Sequence, residues 1–156
     1  MSANISIKTI ITEENSISYS PGASGVIYAK ENGTYYALTA AHVVSDSGRT
    51  YKAQTTDIPT YKEYMSEQKS DGDNSFIPLR EYYAIMPDLT VEYICDECDL
   101  AVVSFTSDKK LVTARIAGEV ASKGDRIVSI GNPLYEDHFK VTYGKIISGL
   151  VTFRTK

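Results

Sequence analysis

Two strand-length segments joined by an asparagine–glycine pair are the strongest constraint on how this 156-residue chain folds. The segments GVIYAK (25–30) and YYALTA (35–40) are rich in the β-branched and aromatic residues that strands favour. Between them, Asn32 and Gly33 suit the positive φ angles of a tight hairpin turn. The sequence therefore predicts an antiparallel β-hairpin here.

Other short apolar segments, separated by glycine-containing turns, extend the same pattern. DLAVVSF (99–105) is a continuous apolar run after an acidic residue, which is typical of a strand buried on both faces. Spaced short strands with little helix predict an all-β barrel or sandwich. We expect further strands at 51–56, 114–120 and 126–133, and within 139–153, where Gly144 and Gly149 interrupt the alternation.

The polar segment 57–76 interrupts the strand pattern. Pro59 is followed by good helix formers and then by the loop-like SDGDNS. We predict a surface insertion that contains one short helix beginning near Thr60.

Composition and charge exclude some classes of function. The hydrophobic share of 42%, the charged share of 23% and a single-domain length are those of a globular protein with a sizeable core. A net charge of −4 argues against a broad nucleic-acid-binding surface. No apolar run is long enough for a membrane span. The N-terminus lacks the pattern of a secretory signal, so either the protein stays inside the cell or this chain begins after processing, and the compartment stays open.

His42 and Asp99 are the residues most suited to catalysis. His42 lies two residues after a predicted strand, and Asp99 stands at the head of another, 57 residues further along the chain. In nucleophilic acyl transfer an imidazole removes the proton of a hydroxyl or thiol, while a carboxylate shielded from water orients the ring. The two residues can form such a pair only if the fold brings them together.

Three groups of motifs resemble those of trypsin-like serine proteases, specifically the HtrA-type branch. They are GASGVIYAKENGTYYALTAAHVV, then CDLAVVSF, then GDRIVSIGNPL with VTYGKIISGLV. Their order matches the family over most of residues 22–56 and 94–152. The insertion at 57–76 has no counterpart in this pattern.

The resemblance implies a double β-barrel with an active site between the barrels. It assigns residues 1–107 to a complete first barrel and residues 108–156 to the first part of a second. It also implies that His42 is the general base and that Asp99 orients it. The substrate would be a protein or peptide, and neither a cofactor nor a metal would be needed.

The family's nucleophile motif, G-[ND]-S-G-G, does not occur in the chain. The resemblance places that motif downstream of residue 156, so we expect this chain alone to be inactive. A cysteine nucleophile stays open, because a thiol can use the same base. The alternative is a non-catalytic trypsin-like remnant that binds proteins. An incomplete second barrel would leave an exposed strand edge, through which we expect self-association.

Two serines within the chain stand in motifs that partly resemble a nucleophile motif. Ser24 lies in GASG, but no helix follows it as a nucleophile elbow requires. Ser148 lies in IISGL, without the preceding glycine. Both fit a strand better than a nucleophile.

Cys95 and Cys98 form a C-x-x-C pattern immediately before Asp99. Half a zinc site and a redox pair are the functional hypotheses, but a complete ligand set and a thioredoxin-like context are lacking. We therefore expect two free or locally bridged cysteines. The second histidine, His138, lies in a polar stretch and is expected in a surface loop.

Overall fold

The computed structural model describes residues 3–68, 78–132 and 139–149. In these residues the fold is mostly β, which confirms the all-β prediction. None of the helices described is both long and apolar enough to span a membrane. The strands are β1 (Asn4–Glu13), β2 (Ser16–Glu31), β3 (Thr34–Thr39), β4 (Arg49–Gln54), β5 (Thr90–Cys95), β6 (Leu100–Thr106), β7 (Arg126–Gly131) and β8 (Lys140–Lys145); the helices are α1 (Ala41–Val44), α2 (Tyr61–Gln68) and α3 (Leu79–Ala84).

Six strands form one antiparallel sheet in the order β4-β1-β2-β3-β6-β5. Its two edges approach each other, because the Ala53 N–H donates to the Pro87 carbonyl at 2.9 Å and the Leu89 N–H donates to the Tyr51 carbonyl at 2.9 Å. A single bridge, Lys52 with Asp88, accompanies these bonds. The first sheet is therefore strongly curved, but a full ladder does not close it within the described residues.

The predicted hairpin is present. Glu31 pairs with Thr34, and the intervening Asn32 and Gly33 have φ angles of 48° and 86°. Both values lie in the left-handed region that a two-residue turn of this kind needs. The local sequence signal and the structure agree here.

The inside of the curved sheet holds the main core. Alternate residues of the strands point inward, which is the period-two arrangement of a half-buried strand. Tyr35 stacks on Phe105 with ring centroids 5.7 Å apart. The core comprises Ile5, Ile7, Ile27, Tyr35, Ala37, Val44, Tyr51, Ala53, Leu89, Ala101, Val103 and Phe105.

The predicted helix near Thr60 is also present, as α2. Thr60 caps it: its side chain accepts the Glu63 N–H at 3.3 Å, and Glu63 Oε2 accepts the Thr60 N–H at 2.8 Å. This reciprocal pair is the capping box. Two tyrosines of α2, Tyr61 and Tyr64, contact Tyr82 of α3 with their ring planes tilted, so α2 and α3 share a small aromatic cluster. The rest of the predicted insertion, 69–77, lies outside the described residues.

One expectation about the strands was wrong, and one strand was missed. Residues 114–120 form no strand, although the Ala114 N–H donates to the Ile27 carbonyl at 2.7 Å. Their apolar residues alternate, but no neighbouring strand pairs with them in the described structure. In contrast, β1 was not predicted, and it pairs with both β2 and β4 in the middle of the first sheet.

A second, two-stranded sheet consists of β7 and β8. It is attached to the first sheet through Asn132, whose backbone N–H donates to the Ser24 hydroxyl at 2.5 Å and whose side-chain amide donates to the Ser6 hydroxyl at 2.5 Å. Most residues of the second sheet are exposed.

Candidate active site

His42 projects from α1, a single helical turn at the end of β3. Its neighbours Ala41 and Val44 are buried and fix the turn against the first sheet. The hydroxyl of Thr39 donates to the Ser24 carbonyl at 2.9 Å, which ties the end of β3 to β2. The imidazole therefore points outward from a firmly held backbone, and its side chain is 73% exposed.

Asp99 lies in the turn that connects β5 to β6. Cys95 and Leu100 form the last cross-strand pair before that turn. Asp99 has a φ of 47°, in the left-handed region that residues other than glycine seldom occupy and that aspartate tolerates better than most. Its N–H donates to the Asp96 carbonyl at 3.3 Å.

The pairing of β3 with β6 brings these two positions together. Thr39 is paired with Ala101, so the end of β3 lies beside the start of β6. His42, which follows β3, and Asp99, which precedes β6, therefore lie at the same end, or rim, of the first sheet. Sequence reasoning could not predict this register from local patterns alone.

The imidazole and the carboxylate are in direct contact. His42 Nδ1 lies 2.8 Å from Asp99 Oδ2 and 2.9 Å from Oδ1. An ionised carboxylate only accepts hydrogen bonds, so Nδ1 carries the proton of the neutral ring and Nε2 is left as the basic nitrogen. The structure thus joins the two predicted residues in the arrangement that general-base catalysis requires.

A backbone contact, which the sequence did not indicate, strengthens this arrangement. The backbone N–H of His42 donates to Asp99 Oδ1 at 3.0 Å. The pKa of the Asp99 carboxyl lies below its ordinary value of 3.8. This backbone bond makes the largest contribution to the lowering, and the bond from the imidazole makes the next largest. Asp99 is therefore an anion at neutral pH. No sequence signal could have identified this contact, since every residue except proline has such a donor.

The expectation that the carboxylate is shielded from water is wrong for the described structure. The Asp99 side chain is 53% exposed, because it stands in the turn before β6 rather than within the strand. Hydrogen bonds from His42, rather than burial, hold it in place.

Cys95 and Cys98 are joined by a disulfide, which is the locally bridged form expected. The bridge lies in the turn that ends at Asp99. Among the described residues, no group of three or more His, Cys, Asp and Glu side chains is arranged to hold a metal ion.

The two serines considered as nucleophiles lie in other parts of the structure. Ser24 is within β2, and its hydroxyl accepts the Asn132 N–H. Ser148 is exposed beyond the end of β8. In the described part of the chain no hydroxyl is recorded in hydrogen-bond contact with His42 Nε2. His138 lies outside the described residues.

A comparison with known protein families gives one match. The model of the trypsin-like peptidase domain matches residues 23–154, which is most of the chain and includes both His42 and Asp99. No curated protein matches the chain significantly. The family match, together with the mostly β architecture, confirms the predicted fold class.

Proposed function

The chain belongs to the trypsin-like peptidase family, whose model covers residues 23–154, and from that premise we propose that it supplies the base and the orienting carboxylate of a serine-type endopeptidase. The finer assignment to the HtrA-type branch rests on the SIGNP and VTYGKIIS motifs. The observation that supports the proposal most is the 2.8 Å contact between His42 Nδ1 and Asp99 Oδ2. These residues are 57 positions apart in sequence, and the fold brings their side chains into contact at an exposed position.

In the proposed mechanism His42 Nε2 removes the proton of the nucleophile's hydroxyl as its oxygen attacks the carbonyl of a peptide bond. The imidazolium that forms is stabilised by the Asp99 carboxylate, and it then gives the proton to the leaving amine. Asp99 stays ionised throughout, in keeping with its lowered pKa. No cofactor takes part in these steps.

We propose that the nucleophile and the oxyanion amides come from outside these 156 residues, because the chain has no G-[ND]-S-G-G motif. On this proposal the 156-residue chain alone does not hydrolyse peptide bonds. The exposure of His42 leaves its ring accessible to a second structural unit and to a polypeptide substrate.

The decisive experiment is active-site labelling of a chain extended by its downstream coding sequence. A fluorophosphonate should label the extended protein, and His42→Ala should reduce the labelling rate by on the order of 10³-fold or more. Tyr36→Phe, which alters a strand residue away from the rim, is the matched control and should label normally. A thiol-directed electrophile tests the cysteine nucleophile in parallel.

Two results would count against the proposal. Undiminished labelling of His42→Ala would remove this residue from the base role. A stop codon directly after Lys156 would favour the non-catalytic alternative.

The second sheet is the observation that favours this alternative, a protein-binding module. Val128, Val141 and Tyr143 are large apolar residues on β7 and β8, and all are exposed. Each strand pairs only with the other among the described residues, so within that part of the chain no third strand covers an edge of this sheet. We propose that this sheet mediates self-association of the isolated chain.

Sedimentation velocity tests this proposal of self-association. The wild-type chain should form dimers or larger species at micromolar concentration, and Val141→Lys should shift it towards monomer, because a lysine on an exposed strand opposes edge pairing. Lys145→Arg, on the same strand with its charge conserved, is the control. A monomeric wild-type chain at these concentrations would contradict the proposal.

A further inference from the structure

The Cys95–Cys98 disulfide and the Asp99 carboxylate belong to the same short turn. Cys95 is the last residue of β5 and pairs with Leu100, the first residue of β6. The turn between them has four residues, and the disulfide ties the third of these, Cys98, back to the end of β5. Asp99 is then the single residue between the closed ring and the next strand.

This connection matters because the other bonds that restrain Asp99, those from His42 and that of its own N–H to the Asp96 carbonyl, lie at the surface. Its side chain is about half exposed and that of His42 is more exposed still, so water competes for both partners. Ion pairs at such exposed positions contribute little to their own stability. The carboxylate therefore needs a backbone that presents it in the correct direction.

That backbone conformation is an uncommon one. With a φ of 47°, Asp99 is in the left-handed region, whereas an unconstrained turn of four residues samples mostly ordinary conformations. The disulfide removes many of these alternatives, because it closes a ring over the preceding residues. A turn in which Asp99 returned to negative φ would change the direction in which its side chain leaves the backbone.

We propose that the Cys95–Cys98 disulfide is a positioning element for the Asp99–His42 pair, and that its reduction releases the carboxylate from the imidazole. The role of the disulfide in catalysis rests on the proposed function, whereas its effect on the His42–Asp99 contact does not. The disulfide lies on the outside of the fold, since Cys98 is exposed and Cys95 is half-buried. A dithiol reductant can therefore reach it.

The chemical step is ordinary thiol–disulfide exchange. A thiolate of an external dithiol attacks one sulfur, the bond between Cys95 Sγ and Cys98 Sγ breaks, and a mixed disulfide forms. The second thiol of the reductant then displaces the protein sulfur. The reductant becomes a disulfide, and Cys95 and Cys98 take up two electrons and two protons to become two thiols.

The test follows the His42–Asp99 hydrogen bond directly, in the full 156-residue chain. The proton on His42 Nδ1 should give a low-field ¹H resonance in the oxidised protein, assigned by its loss in Asp99→Asn. Addition of a dithiol should abolish this resonance at the rate at which two free thiols appear by alkylation and mass measurement. In the same samples, ¹³C-detected titration should show the pKa of Asp99 rising towards its ordinary value.

Two variants control for indirect effects. The double variant Cys95→Ser/Cys98→Ser should lack the resonance with and without dithiol, while its circular dichroism and the amide spectrum of β1 to β4 stay those of the wild type. Asp99→Asn should lack the resonance but keep the disulfide. If the double variant fails to fold, the reduced wild-type chain still decides the matter.

The outcomes separate this inference from the proposed function. An unchanged low-field resonance after complete reduction overturns the inference, whatever the activity. In the extended, catalytically complete chain, reduction should lower kcat/KM at least tenfold and reoxidation should restore it. Loss of the resonance on reduction in a protein that never labels with fluorophosphonate would uphold the inference while the proposed function failed.

Discussion

The described residues of 4–106 and those of 107–149 use similar strand-forming sequences, yet the two regions bury their apolar side chains very differently. In the first region, inward-facing side chains such as Ile5, Ile7 and Val103 have no solvent exposure. In the second, Val120 is 95% exposed and Ile147 is 81% exposed. Apolar alternation alone thus does not make a core, which forms only where enough strands curve around it.

The candidate site lies wholly on the better packed region. His42 stands three residues after β3 and Asp99 one residue before β6, and the pairing of β3 with β6 sets their separation. We therefore expect the imidazole–carboxylate pair to persist when the second region is perturbed.

Removal of a core side chain should separate the two regions most clearly. Ile7→Ala should lower the free energy of unfolding by about 2–5 kcal/mol, because it removes fully buried methyl groups and leaves a cavity. The matched change Ile147→Ala, at an exposed position, should alter it by less than about 0.5 kcal/mol. Urea unfolding of both variants measures the difference. An equal loss of the free energy of unfolding in the two variants would mean that Ile147 is packed as well as Ile7.

Gly22 lies in β2, at the irregularity in its pairing with β1. A Cβ at this position would overlap the carbonyl oxygen of Ile7, where the register of the pair shifts. Gly22→Ala should therefore destabilise the protein by about 1–3 kcal/mol. Gly118→Ala is the control, because no atom lies within 4 Å of the Cβ it would add. Thermal unfolding compares the two, and a neutral Gly22→Ala would contradict the close approach.

Tyr35 links the first region to the segment that follows it. Its hydroxyl donates to the Lys109 carbonyl at 2.7 Å and accepts the Leu111 N–H at 3.0 Å. Tyr35→Phe should cost about 1–2 kcal/mol, since it leaves these groups without their partner. Amide exchange at Leu111 should accelerate, whereas Tyr36→Phe should leave it unchanged. Unaltered protection of Leu111 in Tyr35→Phe would show that the segment is held by other contacts.

The smallest expected effect is the contribution of Asp99 to the pH dependence of the free energy of unfolding. The pKa of Asp99 in the folded chain lies below 3.8, so the unfolded chain binds this proton first as the pH falls. The stabilisation due to Asp99 is therefore complete above its ordinary pKa and is lost as the pH falls through the folded value. The stability difference between the wild type and Asp99→Asn should shrink over that acidic range, measured by urea unfolding. A difference independent of pH there would contradict the lowered pKa.

Local signals predicted the elements that depend on neighbouring residues. Asn32 and Gly33 predicted their turn because few other residues accept its φ angles, and Pro59 followed by good helix formers predicted a helix beginning near Thr60, which is α2. The prediction of a strand at 114–120 was wrong because the alternation of apolar and polar residues does not indicate whether a partner strand is present. β1 was missed although its isoleucines alternate with polar residues, and several of those polar residues are buried against neighbouring strands.

For the candidate site, the sequence by itself determined the residue types and their order, a histidine after one strand and an aspartate before another. Only the tertiary structure decided that the two meet, that the His42 backbone also binds Asp99, and that the pair stands in solvent rather than under cover. The physical reason is that turns and caps are set by interactions over a few residues. Strand register and solvent exposure, in contrast, depend on contacts between segments that the chain brings together only when it folds.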